Sequence, residues 1–137
     1  MQIILANPTH ISKVVSFFNE NLDHNNSAVY SEEFLCPLGI KAAIRRKQMI
    51  VAIVEGQIVG AFRFYRKKTQ NKISLYQFAI SEIYRGQELL KKMLKTINDL
   101  PITSLCPTDS YFNDYYAKSG WYLQEQNEAF NMWVFED

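Results

Sequence analysis

Arg85 and Gly86 stand just ahead of the apolar positions Leu89, Leu90, Met93 and Leu94 in the stretch IYRGQELLKKML, residues 83–94. A cation, a residue with a free φ and the first N–H groups of an amphipathic helix are the parts of a phosphate-binding turn. Glu88 departs from that pattern, placing bulk and a negative charge where another glycine would let an anion approach the backbone. Two like charges ~5 Å apart repel by about 0.8 to 3 kcal/mol as the effective dielectric falls from ~80 to ~20, enough to weaken anion binding without abolishing it. The same segment also reads as an ordinary amphipathic helix: an acid in the first turn suits the dipole, and Leu90 widens the apolar face.

Charge supplies a second pointer. Residues 41–72 hold nine basic side chains (Lys41, Arg45, Arg46, Lys47, Arg63, Arg66, Lys67, Lys68 and Lys72) against Glu55 alone, although the whole chain is only +1. Such a window steers acidic ligands or nucleic acid, and Arg63, Tyr65, Arg66, Lys67 and Lys68 mix charge with an aromatic ring. Strand alternation would send Arg63 and Tyr65 to one face and Phe64 and Arg66 to the other, which divides the patch. Metal chemistry has little to build with: His10 and His24 are the two histidines, and Cys36 and Cys106 fit no metal spacing. Both cysteines read as packed, reduced thiols.

A chain of 137 residues with 47% hydrophobic content suits one domain over 1–137. No apolar run approaches the ~18 to 20 residues of a membrane span, and the start, MQIILANPTH, lacks the basic region of a secretory signal. A cytoplasmic location and no membrane partner are expected. Residues 2–6 read as a strand. A helix follows from Ile11, capped by Thr9 or Ser12, with Ile11, Val14, Val15, Phe17, Phe18 and Leu22 at helical spacing. A polar loop occupies 22–34, with a helical turn at Ser31, and a second helix runs from Leu38 to Arg46. The period then changes to strands over 49–55 and 57–66 around a tight turn at Glu55-Gly56, with a third strand over 73–81. One helix over 84–100, a strand over 102–106, a helix over 109–120 with Asp109 as N-cap and Gly120 as its stop, and two last strands complete the order. The expectation is a mixed α/β fold, a mostly antiparallel central sheet with a parallel βαβ unit over 73–106 and helices on both faces.

Three segments in this order resemble the GNAT N-acetyltransferase superfamily over nearly the whole chain. IVAIVEGQIVGAFRFY is similar to its central hairpin, YQFAISEIYRGQELLKKML to its cofactor motif, and DSYFNDYYAKSGWYLQE to its closing helix. The resemblance implies acetyl-CoA as co-substrate, bound where strand 73–81 splays from strand 102–106. Main-chain groups of Phe78 and Ile80 would pair with the pantetheine arm like an added strand. The N–H groups of Gly86, Gln87, Glu88, Leu89 and Leu90 would hold the pyrophosphate, with charge from Arg85 and from Lys91 or Lys92. The family's loop is usually Arg/Gln-x-x-Gly-x-Gly/Ala, and both later small residues are lost here, at Glu88 and Leu90.

Tyr116 falls where many members carry the tyrosine that protonates the departing thiolate; a phenol of pKa ~10 keeps its proton at neutral pH and can donate it. Phe112 and Tyr115 read as core. The strand over 73–81 carries no carboxylate, so the general base stays unassigned, with Glu82, Glu32 and Glu33, or water ordered by Tyr76 and Gln77, as sources. The implied activity is N-acetylation of a small-molecule or protein amine. Two alternatives share the fold: a binding or regulatory module with a decayed cofactor site, and a nucleic-acid-directed protein using residues 41–72. The expected state is a monomer or a homodimer paired through the C-terminal strand AFNMWVFED.

Overall fold

A computed structural model of the chain describes residues 1–21 and 36–136. The expected loop over 22–34, with Glu32 and Glu33, lies outside the described residues. In chain order the elements are β1 (Gln2–Leu5), α1 (Ile11–Asn21), α2 (Pro37–Arg45), β2 (Met49–Val54), β3 (Gln57–Lys67), β4 (Lys72–Ile80), α3 (Leu89–Leu94), β5 (Ile102–Pro107), α4 (Phe112–Lys118), β6 (Tyr122–Gln126) and β7 (Phe130–Phe135). The described strands form one sheet in the order β1-β2-β3-β4-β5-β7-β6. Every neighbouring pair is antiparallel except β4 and β5, so the expected parallel crossover is present.

Local chemistry explains where the elements begin and end. Glu55 and Gly56 take φ of 50° and 77°, the left-handed pair that a two-residue hairpin turn requires between β2 and β3. Asn7, rather than Thr9 or Ser12, caps the entry to α1. Its Oδ1 accepts from Thr9 N–H at 2.9 Å, and its own N–H donates to His10 Nδ1 at 3.1 Å, closing a 3-10 turn that runs into the helix. The single helix expected over 84–100 is broken: a 3-10 turn at Glu82–Tyr84 and a tight loop precede the six-residue α3. Gly86 at φ 78° and Glu88 at φ 59° cannot continue a right-handed helix, and hydropathy does not register φ. α4 starts at Phe112 with Tyr111, not Asp109, at its N-cap, and the Phe112 N–H donates to Ser110 Oγ at 3.2 Å. β7 has both edges paired, to β5 and β6; the strands left at the sheet edges are β1 and β6.

Helices cover both faces. α1 and α2 bury Val14, Phe17, Phe18, Ile40 and Ile44 against Met49, Val51 and Ala61. On the other face Leu89, Leu90, Met93 and Leu94 pack with Phe62, Phe64, Ile73 and Ile102, joined by Tyr116, Trp121 and Trp133. The basic window is divided as alternation predicts: Arg66 Nη1 meets both carboxylate oxygens of Asp99 at 2.7 and 2.8 Å, while Arg63 and Tyr65 lie toward the α1/α2 face. No helix among the described residues is long and apolar enough to cross a membrane.

Gly60 sets how closely α3, and the loop before it, approach the sheet. A Cβ there would come 2.9 Å from Met93 Sδ and 3.2 Å from Ile80 Cδ1. Overpacking of this kind costs ~1 to 3 kcal/mol, partly offset by the ~0.4 to 1 kcal/mol gained when glycine's unfolded-state freedom is removed. Gly60→Ala is therefore expected to lower stability by about 1 kcal/mol, read as a lower urea midpoint at unchanged slope.

Candidate active site

Two residue pairs join β4 to β5, Ile73 with Ile102 and Ser74 with Thr103. Beyond them the strands diverge, and a cleft of about 1230 Å³ opens between them. Ser81 N–H donates to Val59 O at 2.8 Å, so Ser81 and Ala79 direct their main-chain groups at β3. By alternation the main-chain groups of Phe78 and Ile80 are directed at the cleft.

The apex lies where pairing stops. On β4, Arg63 of β3 opposes Gln77 and Phe64 opposes Leu75, leaving Tyr76 as the extra residue of a β-bulge. On β5, one residue past Thr103, Ser104 Oγ lies 2.8 Å from the Tyr116 hydroxyl. Tyr116 is 4% exposed, with Trp133 stacked at 5.8 Å and Trp121 edge-on at 5.0 Å. Burial pushes its phenol well above the ordinary value, the hydrogen bond with Ser104 opposing that shift. The group is a neutral hydroxyl donor across the physiological range. The walls are aromatic: Phe78 contacts Phe112 and Tyr115, each at 5.9 Å between centroids. These two side chains, expected as core, both pack against it and line the cleft. Burial raises the Cys106 thiol as well, in keeping with a packed, protonated sulfur.

The far end is formed by Tyr84, Arg85, Gly86, Glu88, Leu89, Leu90 and Lys91. Glu88 occupies the N-cap position of α3 at φ 59°, ψ 24° and makes no side-chain capping bond. The first helical hydrogen bond runs from Lys92 N–H to Glu88 O at 3.1 Å, so the N–H groups of Leu89, Leu90 and Lys91 begin the helix without intrahelical acceptors. The Leu89 and Leu90 side chains are buried in the core. Nothing lies within 4 Å of where a Gly86 Cβ would stand, leaving room for a ligand over the loop.

Nearly all the sequence-predicted residues therefore meet in one cleft: Phe78, Ile80, Arg85, Gly86, Glu88, Leu89, Leu90, Lys91 and Tyr116. Gln87 does not line it, and its Nε2 donates to Ile83 O at 2.9 Å. Lys92 points to solvent on the next position. Arg85 folds back instead of reaching outward: Nε donates to Ile80 O at 3.0 Å and Nη2 to Asn21 O at 3.4 Å. The Ile80 carbonyl is thus already engaged. Sequence reasoning missed Ser104, Glu20 and Lys118, which also line the cleft. A serine in a short apolar strand carries no signal until its partner across the fold is known.

No protein-family model matches the chain, and no curated protein matches its sequence. Solved structures do match. The PaiA N-acetyltransferase of Thermoplasma acidophilum, in complex with coenzyme A, is 11% identical, with 99% of this chain and 98% of that one covered at a TM-score of 0.75. A GNAT family acetyltransferase of Streptococcus agalactiae is 14% identical, with coverage of 99% and 95% and a TM-score of 0.78. The diaminobutyrate acetyltransferase EctA of Paenibacillus lautus, in complex with its substrate L-2,4-diaminobutyric acid and coenzyme A, is 17% identical, with coverage of 99% and 96% and a TM-score of 0.61. The chain has the fold of the GNAT acetyltransferases.

Proposed function

We propose that the chain is an N-acetyltransferase that moves an acetyl group from acetyl-CoA to an amine of a small molecule or protein. The observation that carries this reading is the splay of β4 from β5, with the main chain of Phe78 and Ile80 along one wall, a turn-and-helix start at one end and a buried hydroxyl at the apex. In the reaction an amine nitrogen attacks the thioester carbonyl, a C–N bond forms, the C–S bond breaks and the CoA thiolate leaves.

Phe78 and the Ile80 N–H would hold the pantetheine arm. The Ile80 carbonyl joins only if Arg85 releases it, which would free that guanidinium for phosphate. Gly86 and the N–H groups of Leu89, Leu90 and Lys91 would receive the pyrophosphate, with Lys91 adding charge. Tyr116 would donate a hydrogen bond to the sulfur. Because a thiol's reference pKa of ~8.5 lies below that of a phenol, Tyr116 stabilises the thiolate through a charge-assisted bond while keeping its own proton for most of the step. Ser104 then turns its hydroxyl to donate to the phenol oxygen, holding the donor in line. β4 offers no carboxylate, so the proton lost by the amine would pass to water in the open cleft or to Glu20 or Glu82, which line it.

A decayed site explains less. Glu88 keeps the left-handed backbone of a glycine, a strained conformation that persists only where its surroundings demand it. Calorimetric titration with acetyl-CoA tests the reading. Saturable heat with a Kd in the micromolar range is expected; neither heat nor thermal stabilisation at millimolar ligand would overturn it.

A further inference from the structure

Arg63, on β3, sits well inside the sheet and apart from the groups that would hold acetyl-CoA. The β4 bulge brings Tyr76 onto its face, and the guanidinium carbon lies 4.6 Å from the Tyr76 ring centroid and 5.2 Å from that of Tyr65. The two rings meet edge to face at 5.5 Å. From α2, Gly39 leaves the space that Arg63 Nη1 fills, 3.4 Å from where a Cβ would stand. The Nε is buried and has no hydrogen-bond partner. Among the described residues the ion pair in this region belongs to Arg66 and Asp99, and no carboxylate pairs with Arg63.

A cation taken partly out of water without an anion is costly, and aromatic faces return only a part of that cost. What such a guanidinium fits is planar and anionic, since its fork matches a carboxylate in two parallel hydrogen bonds. Its neighbours place it beside the reaction. Gln77, directly across from Arg63, and Tyr76, over it, both line the cleft at the apex, opposite Ser104 and Tyr116. Arg63 is one strand removed from that wall, a spacing of ~4.8 Å.

We infer that Arg63, packed against the rings of Tyr65 and Tyr76, anchors a carboxylate on the acceptor, so that the amine acetylated belongs to an amino acid or another carboxylate-bearing amine. This rests on the acetyl-transfer reading. The anchor sets one end of the acceptor and the apex the other, making the separation of amine from carboxylate a determinant of rate.

The test compares 4-aminobutyrate, 6-aminohexanoate and L-lysine with propylamine, pentylamine and cadaverine, the same amines without the carboxylate, at saturating acetyl-CoA. The best acid is expected to exceed its partner in kcat/KM by roughly 10-fold or more. Arg63→Gln is expected to lower kcat/KM for the acids roughly 10- to 100-fold through KM, leaving the plain amines and the acetyl-CoA Kd unchanged. Arg63→Lys, which keeps the charge but loses the fork, should fall between. Equal rates for acids and amines in the wild type, or an equal loss across both in Arg63→Gln, overturns the anchor without touching the acetyl-transfer reading. Absence of turnover with every amine counts against acetyl transfer, and the anchor is then read by thermal shift. Stabilisation by 6-aminohexanoate but not pentylamine, lost in Arg63→Gln, supports it; the same response to both ligands, or none to either, overturns it.

Discussion

Tyr116→Phe is expected to lower kcat for acetyl transfer by about 100-fold, the lower range for loss of a positioned proton or hydrogen-bond donor, with the acetyl-CoA Kd changed by no more than about twofold. The substitution keeps the ring, so the stack on Trp133 and the edge contact with Trp121 survive. It removes only the hydroxyl 2.8 Å from Ser104. Losing that partner leaves Ser104 Oγ buried, at a cost of about 1 to 2 kcal/mol in stability, and urea unfolding of the free protein measures this separately from catalysis. Alkaline titration adds a second readout. The folded phenol is held above its unfolded value of 10.0, chiefly by burial, so the fold favours the neutral form. That contribution is whole below pH 10 and is lost as the pH rises beyond it, where the unfolded chain ionises first. The wild type should lose this stability above pH ~10 and Tyr116→Phe should not. An unchanged kcat would remove Tyr116 from the chemistry and leave it as a core residue.

The second large effect is a gain. Glu88→Gly is expected to tighten acetyl-CoA binding about tenfold, because a charge repelling the pyrophosphate by ~0.8 to 3 kcal/mol is removed and the backbone becomes approachable. It should also raise stability by about 1 kcal/mol: a non-glycine residue in the left-handed region is strained by ~1 to 2 kcal/mol, and glycine gives back part of that in unfolded-state entropy. The φ of 59° at Glu88 makes the two effects separable. Glu88→Ala discards the charge but keeps the strain, so it should gain affinity without stability. Should all three proteins bind acetyl-CoA equally, the pyrophosphate does not lie over this loop.

Much of this is legible in the sequence. The Glu55-Gly56 hairpin, the change from helical to alternating period and the βαβ unit over 73–106 follow from short-range rules, and those rules hold here. Helix limits were less legible because they depend on single φ values: Gly86 and Glu88 split one apolar run into a 3-10 turn, a loop and a short helix. Tyr116 and the loop could be named from the resemblance. Ser104 could not, since its role arises from a contact between a strand and a helix twelve residues on. The face of Tyr76 was hidden for another reason. A bulge shifts every side chain beyond it, and only the pairing with β3 shows where the extra residue falls. The sequence shows the charge of Arg85 but not the carbonyls it ties together.

The brief pairing of β4 with β5 bears on how the protein avoids sticking to itself. Past Ser74 and Thr103 the molecule carries two strand margins in its middle, facing one another rather than facing outward. A margin of unpaired main chain normally invites another polypeptide to add itself, and proteins blunt such margins with charge, proline or a covering helix. Here divergence does that work. The margins are recessed between α3 and α4, in a slot walled by Phe78, Phe112 and Tyr115. A slender linear molecule with amide groups can enter and be read as a strand, whereas a folded chain, with side chains on both faces, is too thick.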